Sequence, residues 1–323
     1  MRTIAIVAGG DSSEYKISVN SASEVSKSLS ERYITYVIMI RGINWYWEDP
    51  EGRYHNIDKN DFTLVTDEGK VKFDGVFIAI HGTPGENGLL QGYFDIMKIP
   101  YSSSSAFTSA LTFNKQATKL YLKDYDIRMA DNIIIRNGYS LDTGEIIKRT
   151  GLPCFVKPND SGSSFGVSKV KSKNELQPAI EKAFTESNEV MIESFMQGRE
   201  VACGVVKTRN KKIVLPITEI ISKNEFFDYE AKYIPGNSQE VTPADLPQDV
   251  AEEVQRLSSL IADLLGCKGI VRVDFIIVSG KPWFLEINTV PGMTQASLIP
   301  QQARAASIPL DELYSIVVED MFN

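Results

Sequence analysis

The chain has 323 residues, with 34 Lys plus Arg against 42 Asp plus Glu and a formal net charge of −8. That surplus of acid argues against an extended polyanionic partner, nucleic acid or anionic membrane, because both demand clustered cations. Hydrophobic residues at 43% and charged ones at 24% exclude disorder as the main state, and the length predicts two domains or three small ones. Cys154, Cys203 and Cys267 are scattered in apolar settings without a C-x-x-C pair. They predict reduced thiols in the cytoplasm, not a disulfide framework or zinc site. The first apolar run is too short for a signal peptide, and no stretch approaches the ~18 residues of a membrane span.

Ile4 to Ala8 reads as a buried strand ending in Gly9-Gly10, and Ile17, Val25 and Leu29 recur on one helical face after it. Tyr36 to Ile40 and Val76 to Ile80 repeat the buried-strand signature, predicting an open parallel α/β sheet over the first hundred residues. Loops beyond the carboxyl ends of such strands hold ligands, here Gly9 to Glu14 and His81 to Gly92. Ser102 to Ser105 predicts a boundary, and helical spacing follows from Phe113 to Tyr125. Cys154 to Lys157, the Gly/Ser-rich Asn159 to Gly166 and an extended stretch to Val170 predict a hairpin. A helix is expected over Glu175 to Phe184, then strands over Val190 to Ile192, Val201 to Val206 and Ile213 to Ile217. Ser222 to Pro243 shows no periodic element, as expected of a functional lid. Its Phe226, Phe227, Tyr229 and Tyr233 read as an aromatic cluster anchoring the loop. Val250 to Leu265 is the strongest amphipathic helix, with Gly266 at its C-terminal cap. Strands over Ile270 to Val278 and Trp283 to Asn288, and a helix near Leu310 to Phe322, complete the chain.

Gly9 to Glu14 sits where a dinucleotide fingerprint would, but lacks the third glycine. It reads as a capped turn whose closing carboxylate, Glu14, is placed to receive a substrate ammonium. Gly162-Ser163-Ser164-Phe165-Gly166 satisfies G-x-S-x-G, yet it leads into a strand, and both histidines, His55 and His81, precede the serine. A hydrolase of this motif requires a helix after the turn and a histidine after the serine, so the context fails twice. What remains is a hairpin turn after Lys157, either merely flexible or a cradle of backbone N–H groups for phosphates. His81, beside a buried strand, reads as a positioning residue, not a catalyst.

Arg272-Val273-Asp274 and Glu286-Ile287-Asn288 each put two polar side chains at i and i+2 of an apolar strand, hence on one face. A three-residue turn through Ser279-Gly280-Lys281 sets Asp274 opposite Glu286 and Arg272 opposite Asn288; a two-residue turn sends the carboxylates to opposite faces. Opposed carboxylates with an amide oxygen suit Mg²⁺ shared with phosphates, and Arg272 beside them would neutralise a transferring phosphoryl group. A surface charge network is the alternative, at odds with strands so apolar, where unpaired carboxylates are costly.

Taken in chain order, the His81 to Gly92 loop, Lys157-Pro158 with Gly162-Ser163-Ser164, Glu230-Ala231-Lys232-Tyr233 and Glu286 to Pro300 resemble the D-alanine:D-alanine ligases of the ATP-grasp superfamily. The resemblance covers nearly the whole chain. It implies an α/β protein with α+β lobes: an N-terminal open parallel α/β substrate lobe (1–102), a small central α+β lobe with the Gly-rich phosphate loop (103–189), and a C-terminal antiparallel-sheet lobe (190–323) with a lid at 222–243 and a metal site. ATP would be gripped between the last two, with Lys115 and Lys157 near its phosphates, Glu193 and the Met196 backbone at the adenine and Glu200 at the ribose. Asp274, Glu286 and Asn288 would hold two Mg²⁺ ions, Mn²⁺ being an alternative. Glu14, with Ser163 and Tyr233, would bind the ammonium of the first D-alanine, and His81 would help position substrate. Lys232, Ser297 and the Leu298 backbone would take the carboxylate of the second D-alanine, while Arg272 and the Gly292 backbone face the oxyanion.

The implied reaction is phosphoryl transfer from ATP to the first D-alanine, attack by the second D-alanine's amine on the acyl phosphate, and release of phosphate, supplying peptidoglycan precursor synthesis. Phe227 in place of Tyr, Asn87 in place of Asp and Ser194-Phe195 in place of Lys-Trp depart from the commoner pattern and touch nucleotide contacts. Tyr233 favours D-alanine over D-lactate. The implied partners are two D-alanine molecules, without nucleic acid or membrane; a homodimer is left open.

Overall fold

The computed structural model describes residues 1–139, 142–162, 165–222 and 238–323. The first apolar run forms β1 (Thr3–Gly9), and the helical pattern after it forms α1 (Tyr15–Leu29). β2 (Ile34–Arg41) runs parallel to β1. The chain then doubles back through β3 (Asn44–Glu48), β4 (Tyr54–Asp58), β5 (Thr63–Thr66) and β6 (Gly69–Val71), all antiparallel, because connections this short close only hairpins. β7 (Gly75–Ile78) returns parallel on the other side of β1. The predicted parallel sheet is thus the β2-β1-β7 core of a mixed sheet ordered β6-β5-β4-β3-β2-β1-β7. Edge-to-face pairs Tyr36–Trp47, Tyr36–Phe73 and Trp45–Phe62 pack the meander.

β1 ends at Gly9, whose φ of 99° suits glycine. A Cβ there would stand 2.6 Å from the Ile40 carbonyl oxygen. This close approach lets the Gly10 N–H reach Ile40 O at 2.7 Å, and it delivers Glu14 to the start of α1, beyond the carboxyl ends of the parallel strands.

α2 (Leu89–Met97), α3 (Ala106–Phe113) and α4 (Lys115–Leu122) lead into the central lobe. The helical spacing from Phe113 to Tyr125 is realised as α4 only. Asn114 takes an extended backbone and caps it, accepting from the Ala117 N–H at 2.8 Å. β8 (Asn132–Arg136), α5 (Thr143–Thr150), β9 (Cys154–Pro158), β10 (Ser168–Val170), α6 (Lys173–Phe184) and β11 (Glu189–Ser194) follow. The strands form an antiparallel sheet ordered β10-β9-β11-β8, including the predicted β9-β10 hairpin. β11 pairs with both β8 and β9, and its Val190 and Ile192 enter the core under α5 and α6. The division expected at 189–190 therefore falls inside this strand, and the chain changes sheet between Ser194 and Arg199.

β12 (Arg199–Lys207), β13 (Lys212–Ser222), β14 (Ser238–Val241), α7 (Gln248–Leu264), β15 (Gly269–Val278), β16 (Lys281–Asn288), α8 (Leu298–Ala305) and α9 (Leu310–Asp320) complete the described chain. The last antiparallel sheet is ordered β14-β13-β12-β15-β16. β14 lies within the stretch for which the sequence predicts no element; residues 223–237 of that stretch are outside the described residues. Period two gives the sheet two unlike faces. Val201, Cys203, Val205, Val271, Val273, Phe275 and Phe284 pack against Val254, Leu257 and Ile261 of α7. The opposite face carries Glu200, Ala202, Arg272 and Asp274. α8 and α9 join the C-terminal sheet to the first lobe through one core containing Ile4, Ile6, Val25, Val206, Leu215, Ile299 and Tyr314. Cys154, Cys203 and Cys267 are buried free thiols, and no helix among the described residues is long and apolar enough to cross a membrane.

Gly9→Ala is expected to lower stability by about 2 kcal/mol or more, since the backbone is unsuited to a side chain and the Ile40 carbonyl blocks the Cβ. Urea unfolding followed by Trp fluorescence checks this; an unchanged midpoint would contradict it.

Candidate active site

β15 and β16 are joined by a two-residue turn, Ser279-Gly280, with both residues at positive φ (49° and 73°) and Val278 opposite Lys281. The three-residue turn is not formed. Alternation through a two-residue turn would part Asp274 from Glu286, but the register shifts between Asp274 and Phe275. Phe275 pairs with Phe284 while Asp274 pairs with Glu286, so Leu285 is the extra residue of a β-bulge. The bulge restores the pairing that the longer turn would give: Asp274 faces Glu286 and Arg272 faces Asn288. Arg272 grips Asp274 through two parallel bonds, Nε to Oδ1 and Nη2 to Oδ2, each 2.7 Å. Asn288 Nδ2 donates to Asp274 Oδ2 at 3.1 Å. With side-chain exposures of 17% for Arg272 and 5% for Asp274, this is no surface network.

Between the central sheet and this polar face lies a cleft of about 420 Å³, lined by Lys115, Lys157, Glu193, Met196, Glu200, Glu286 and Asn288 among others. Its size is that of a small-molecule site, and Phe155, Ile220, Ile276 and Leu285 supply apolar walls. The Gly-rich turn is tied to the start of α4. Lys115 Nζ donates to Ser161 O at 2.6 Å, and Asn159 accepts from the Lys115 and Gln116 N–H groups at 3.0 and 2.9 Å.

At the cleft floor Glu193 is clasped by two lysines: Lys157 Nζ reaches Oε2 at 2.6 Å and Lys119 Nζ bonds Oε1. All three side chains are buried. Burial by itself would raise the Glu193 pKa; Lys157 and then Lys119 outweigh it and hold the carboxyl below its ordinary range. Burial lowers the Lys119 pKa against the pull of Glu193. Of the two lysines, Lys157 lines the cleft and Lys119 lies behind Glu193. Lys119 is a site residue that sequence reasoning missed; its one signal was its place four residues after Lys115 on the α4 pattern, which puts both on one side of the helix.

The N-terminal lobe meets this face through hydrogen bonds. The Met293 N–H donates to Ser21 Oγ at 3.2 Å, Ser21 Oγ lies 3.1 Å from His81 Nε2, and His81 Nδ1 lies 2.7 Å from Val290 O. A carbonyl only accepts, so Nδ1 carries the proton, and in the neutral ring Nε2 accepts from the Ser21 hydroxyl. Burial above all pushes the His81 pKa below its ordinary value, in keeping with a neutral ring. His81 thus braces the 290–293 loop, which contains Gly292. Glu86 clasps the same loop, accepting from the Gly82 N–H at 2.7 Å and the Val290 N–H at 3.1 Å. Burial, then the neighbouring Glu14, raises its pKa to about 8. Glu86 carries no sequence signal of its own beyond lying in the His81 to Gly92 loop.

Glu14 is brought against the Gly-rich turn so closely that a Cβ on Gly162 would collide with its carboxylate. Gly292 lies against Ser297, where a Cβ would stand 2.7 Å from the hydroxyl oxygen. Ser297 Oγ accepts from the Thr294 N–H at 3.1 Å and lies 2.8 Å from Thr294 Oγ1; Leu298 opens α8. The structure therefore gathers Glu14, His81, Gly292, Ser297 and Leu298 beside the polar face, and Lys115, Lys157, Glu193, Met196 and Glu200 around the cleft. The expected site residues Ser163, Lys232 and Tyr233 lie outside the described residues.

Two expectations follow from these charges. Glu193→Gln leaves Lys119 and Lys157 without their buried counter-charge and lowers stability by about 3–5 kcal/mol. Lys119→Met preserves the Lys157–Glu193 pair and costs less; the reverse order in denaturant unfolding would contradict this. A Glu86 pKa of about 8 in the folded protein lies above its unfolded value, so stability is lost as pH rises through about 8. Glu86→Gln removes that loss, and the melting-temperature difference should shift toward the variant between about pH 5 and about pH 9. A difference independent of pH would contradict the shift.

Residues 3–104 match the family model described as D-ala D-ala ligase N-terminus, and residues 121–319 the one described as D-ala D-ala ligase C-terminus. The chain is 54% identical to a D-alanine–D-alanine ligase of Phocaeicola vulgatus over 323 residues, 99% of each protein. Among solved structures it is similar to VanG D-Ala:D-Ser ligase from Enterococcus faecalis, with a TM-score of 0.86 and 29% identity over 99% of both chains. It is also similar to the D-alanine–D-alanine ligase from Bacillus anthracis complexed with ATP, with a TM-score of 0.80 and 30% identity over 100% and 98% of the two chains. The facing antiparallel sheets are those of an ATP-grasp fold. With both halves matched and the whole length covered, the chain belongs to the D-alanine–D-alanine ligase family.

Proposed function

We propose that the protein joins two D-alanine molecules with the use of ATP, through a D-alanyl phosphate, to give D-alanyl-D-alanine, ADP and phosphate for peptidoglycan precursor synthesis in the cytoplasm. The observation that carries this reading is the convergence of Arg272, Asp274, Glu286 and Asn288 on one sheet face, across a single cleft from Lys115 and Lys157. That arrangement suits a nucleotide polyphosphate whose terminal phosphoryl group is transferred at the rim of the N-terminal lobe.

In this reading the adenine lies toward Glu193 and the Met196 backbone, the ribose toward Glu200, and the phosphates toward Lys115, Lys157 and the backbone of the Gly-rich turn. Glu14, with Ser163 and Tyr233, takes the ammonium of the first D-alanine and so aims its carboxylate at the γ-phosphorus. A carboxylate oxygen forms the new P–O bond as the bond to ADP breaks. The amine of the second D-alanine, held through its carboxylate by Lys232, Ser297 and the Leu298 backbone, then attacks the acyl carbon, and phosphate leaves. Arg272 and the Gly292 N–H supply donors for the oxyanion. His81 and Glu86 keep the Gly292 loop in place. An acyl phosphate hydrolyses readily, which gives residues 222–243 their proposed role in excluding water.

Asp274, Glu286 and Asn288 fit Mg²⁺, or Mn²⁺ in its place: they are hard oxygen donors set on one face by the observed register. When bound, the metal neutralises phosphate charge.

ADP release is expected to require D-alanine and Mg²⁺ together, with the dipeptide as product. Turnover of another amino or hydroxy acid, D-serine included, without turnover of D-alanine would overturn the substrate assignment. Arg272→Met is expected to lower kcat by about 10²- to 10³-fold, the usual loss for an oxyanion donor. Tyr233→Phe is expected to lower kcat more than it alters the KM for ATP; an unchanged kcat would remove that residue from the reacting site.

A further inference from the structure

α8 is held to the C-terminal sheet by a buried amide. The β12–β13 pairing is irregular: Cys203 pairs with Ile217 but Val205 with Val214, so Leu215 and Pro216 together stand against Gly204. A bulge of this kind leaves backbone groups outside the ladder. Gln302, fully buried, fills the gap. Its Oε1 accepts from the Gly204 N–H at 3.0 Å, and its Nε2 donates to Ala202 O at 2.9 Å and to Thr218 Oγ1 at 3.1 Å. Both sides of one amide are therefore committed to the sheet, which fixes the height and the rotation of the helix that carries it. Gly204 makes the approach possible, since a Cβ there would stand 2.6 Å from Ile299 Cδ1 and 2.7 Å from Gln302 Oε1.

The contact bears on the reacting groups by register. Gly204 pairs with Arg272 and Ala202 with Asp274 on β15, so the two β12 residues gripped by Gln302 are the cross-strand partners of the guanidinium and carboxylate of the polar face. Gln302 lies four residues after Leu298, on the same side of α8. Leu298 packs on Ala202 and Ile220 of the same sheet face. An apolar side chain would fill this volume but would leave the Gly204 N–H without its acceptor and would not set the helix's rotation.

We propose that Gln302 is a positioning residue for the second substrate: by latching α8 to the β12 bulge it sets the Ser297–Leu298 backbone at the height over Arg272 and Asp274 from which the second D-alanine's amine reaches the activated carboxyl. The inference rests on the placing of the second substrate's carboxylate at Ser297 and Leu298, proposed above.

Initial rates of the full-length enzyme over a wide D-alanine range separate the two substrate sites. Gln302→Met, of similar length but without the amide, is expected to raise the KM for the second D-alanine about five- to tenfold, the scale of one net hydrogen bond. The KM values for ATP and the first D-alanine should stay within about twofold. Thr218→Val removes one acceptor of the same amide and should act in the same direction by about two- to threefold. It carries the test if Gln302→Met does not fold by circular dichroism. Ser297→Ala reads the carboxylate site independently. If Ser297→Ala raises the second KM and the variants at 302 and 218 do not, the latch is overturned and the functional reading stands. If all three KM values rise together with a fall in kcat, Gln302 is merely structural and the proposal fails. If Ser297→Ala leaves the second KM unchanged, the carboxylate is held elsewhere, and the latch falls with that assignment.

Discussion

A strand pair closed by the tight turn Ser279-Gly280 alternates strictly, and strict alternation would place Asp274 and Glu286 on opposite sides of the C-terminal sheet. The extra residue at Leu285 cancels the difference, so both carboxylates, Arg272 and Asn288 come to the side away from α7. The division of the C-terminal sheet into an apolar and a charged face at β16 follows from that one irregularity. The apolar side of the sheet is free to bury Val273, Phe275 and Phe284 against α7, while the other side collects charge that could not enter a core unpaired. Arg272 meets Asp274 in the bidentate geometry that a partly buried pair requires.

An acidic chain that accommodates a polyanion must do so by placement, not by net charge. The −8 balance is compatible with a cleft lined by Lys115 and Lys157, in which Lys157 and the buried Lys119 both pair with Glu193. Near Glu14 the problem is reversed, because a second carboxylate and a histidine are buried beside it. Burial disfavours charge on both: it raises the Glu86 pKa to about 8, and it pushes that of His81, set between a hydroxyl and a carbonyl, below its ordinary value. The loop bearing Gly292 is thereby fixed through hydrogen bonds of His81 and Glu86, two buried groups whose shifts both disfavour the charged form.

Much of this was legible in the residues because it rests on local period. Arg272 and Asp274, and Glu286 and Asn288, are each two apart in apolar strands, and period two alone puts each pair on one face. The β9-β10 hairpin and α7 with its glycine cap were equally local. Long-range compensation was not legible. The Leu285 bulge cannot be told from a longer turn by spacing, β11 reads alone as a strand of either sheet, and the β3 to β6 meander is too short and mixed to show alternation. Glu86, Lys119 and Gln302 share one cause of concealment: each is a polar residue buried against partners 74 or more positions away, apart from the nearer bonds of Glu86 to Gly82 and of Lys119 to the Ala130 carbonyl. Ser163, Lys232 and Tyr233 rest on the family resemblance.

The central claim is that this face activates a carboxylate by phosphoryl transfer before the amine attacks. It is tested most directly with D-alanine labelled with ¹⁸O in its carboxyl group and unlabelled ATP. If the carboxylate oxygen bonds to the γ-phosphorus and leaves with it, each dipeptide formed should be matched by one inorganic phosphate carrying a single ¹⁸O atom. Stoichiometric dipeptide with unlabelled phosphate would contradict the acyl phosphate and the role assigned here to the Arg272–Asp274–Glu286–Asn288 face.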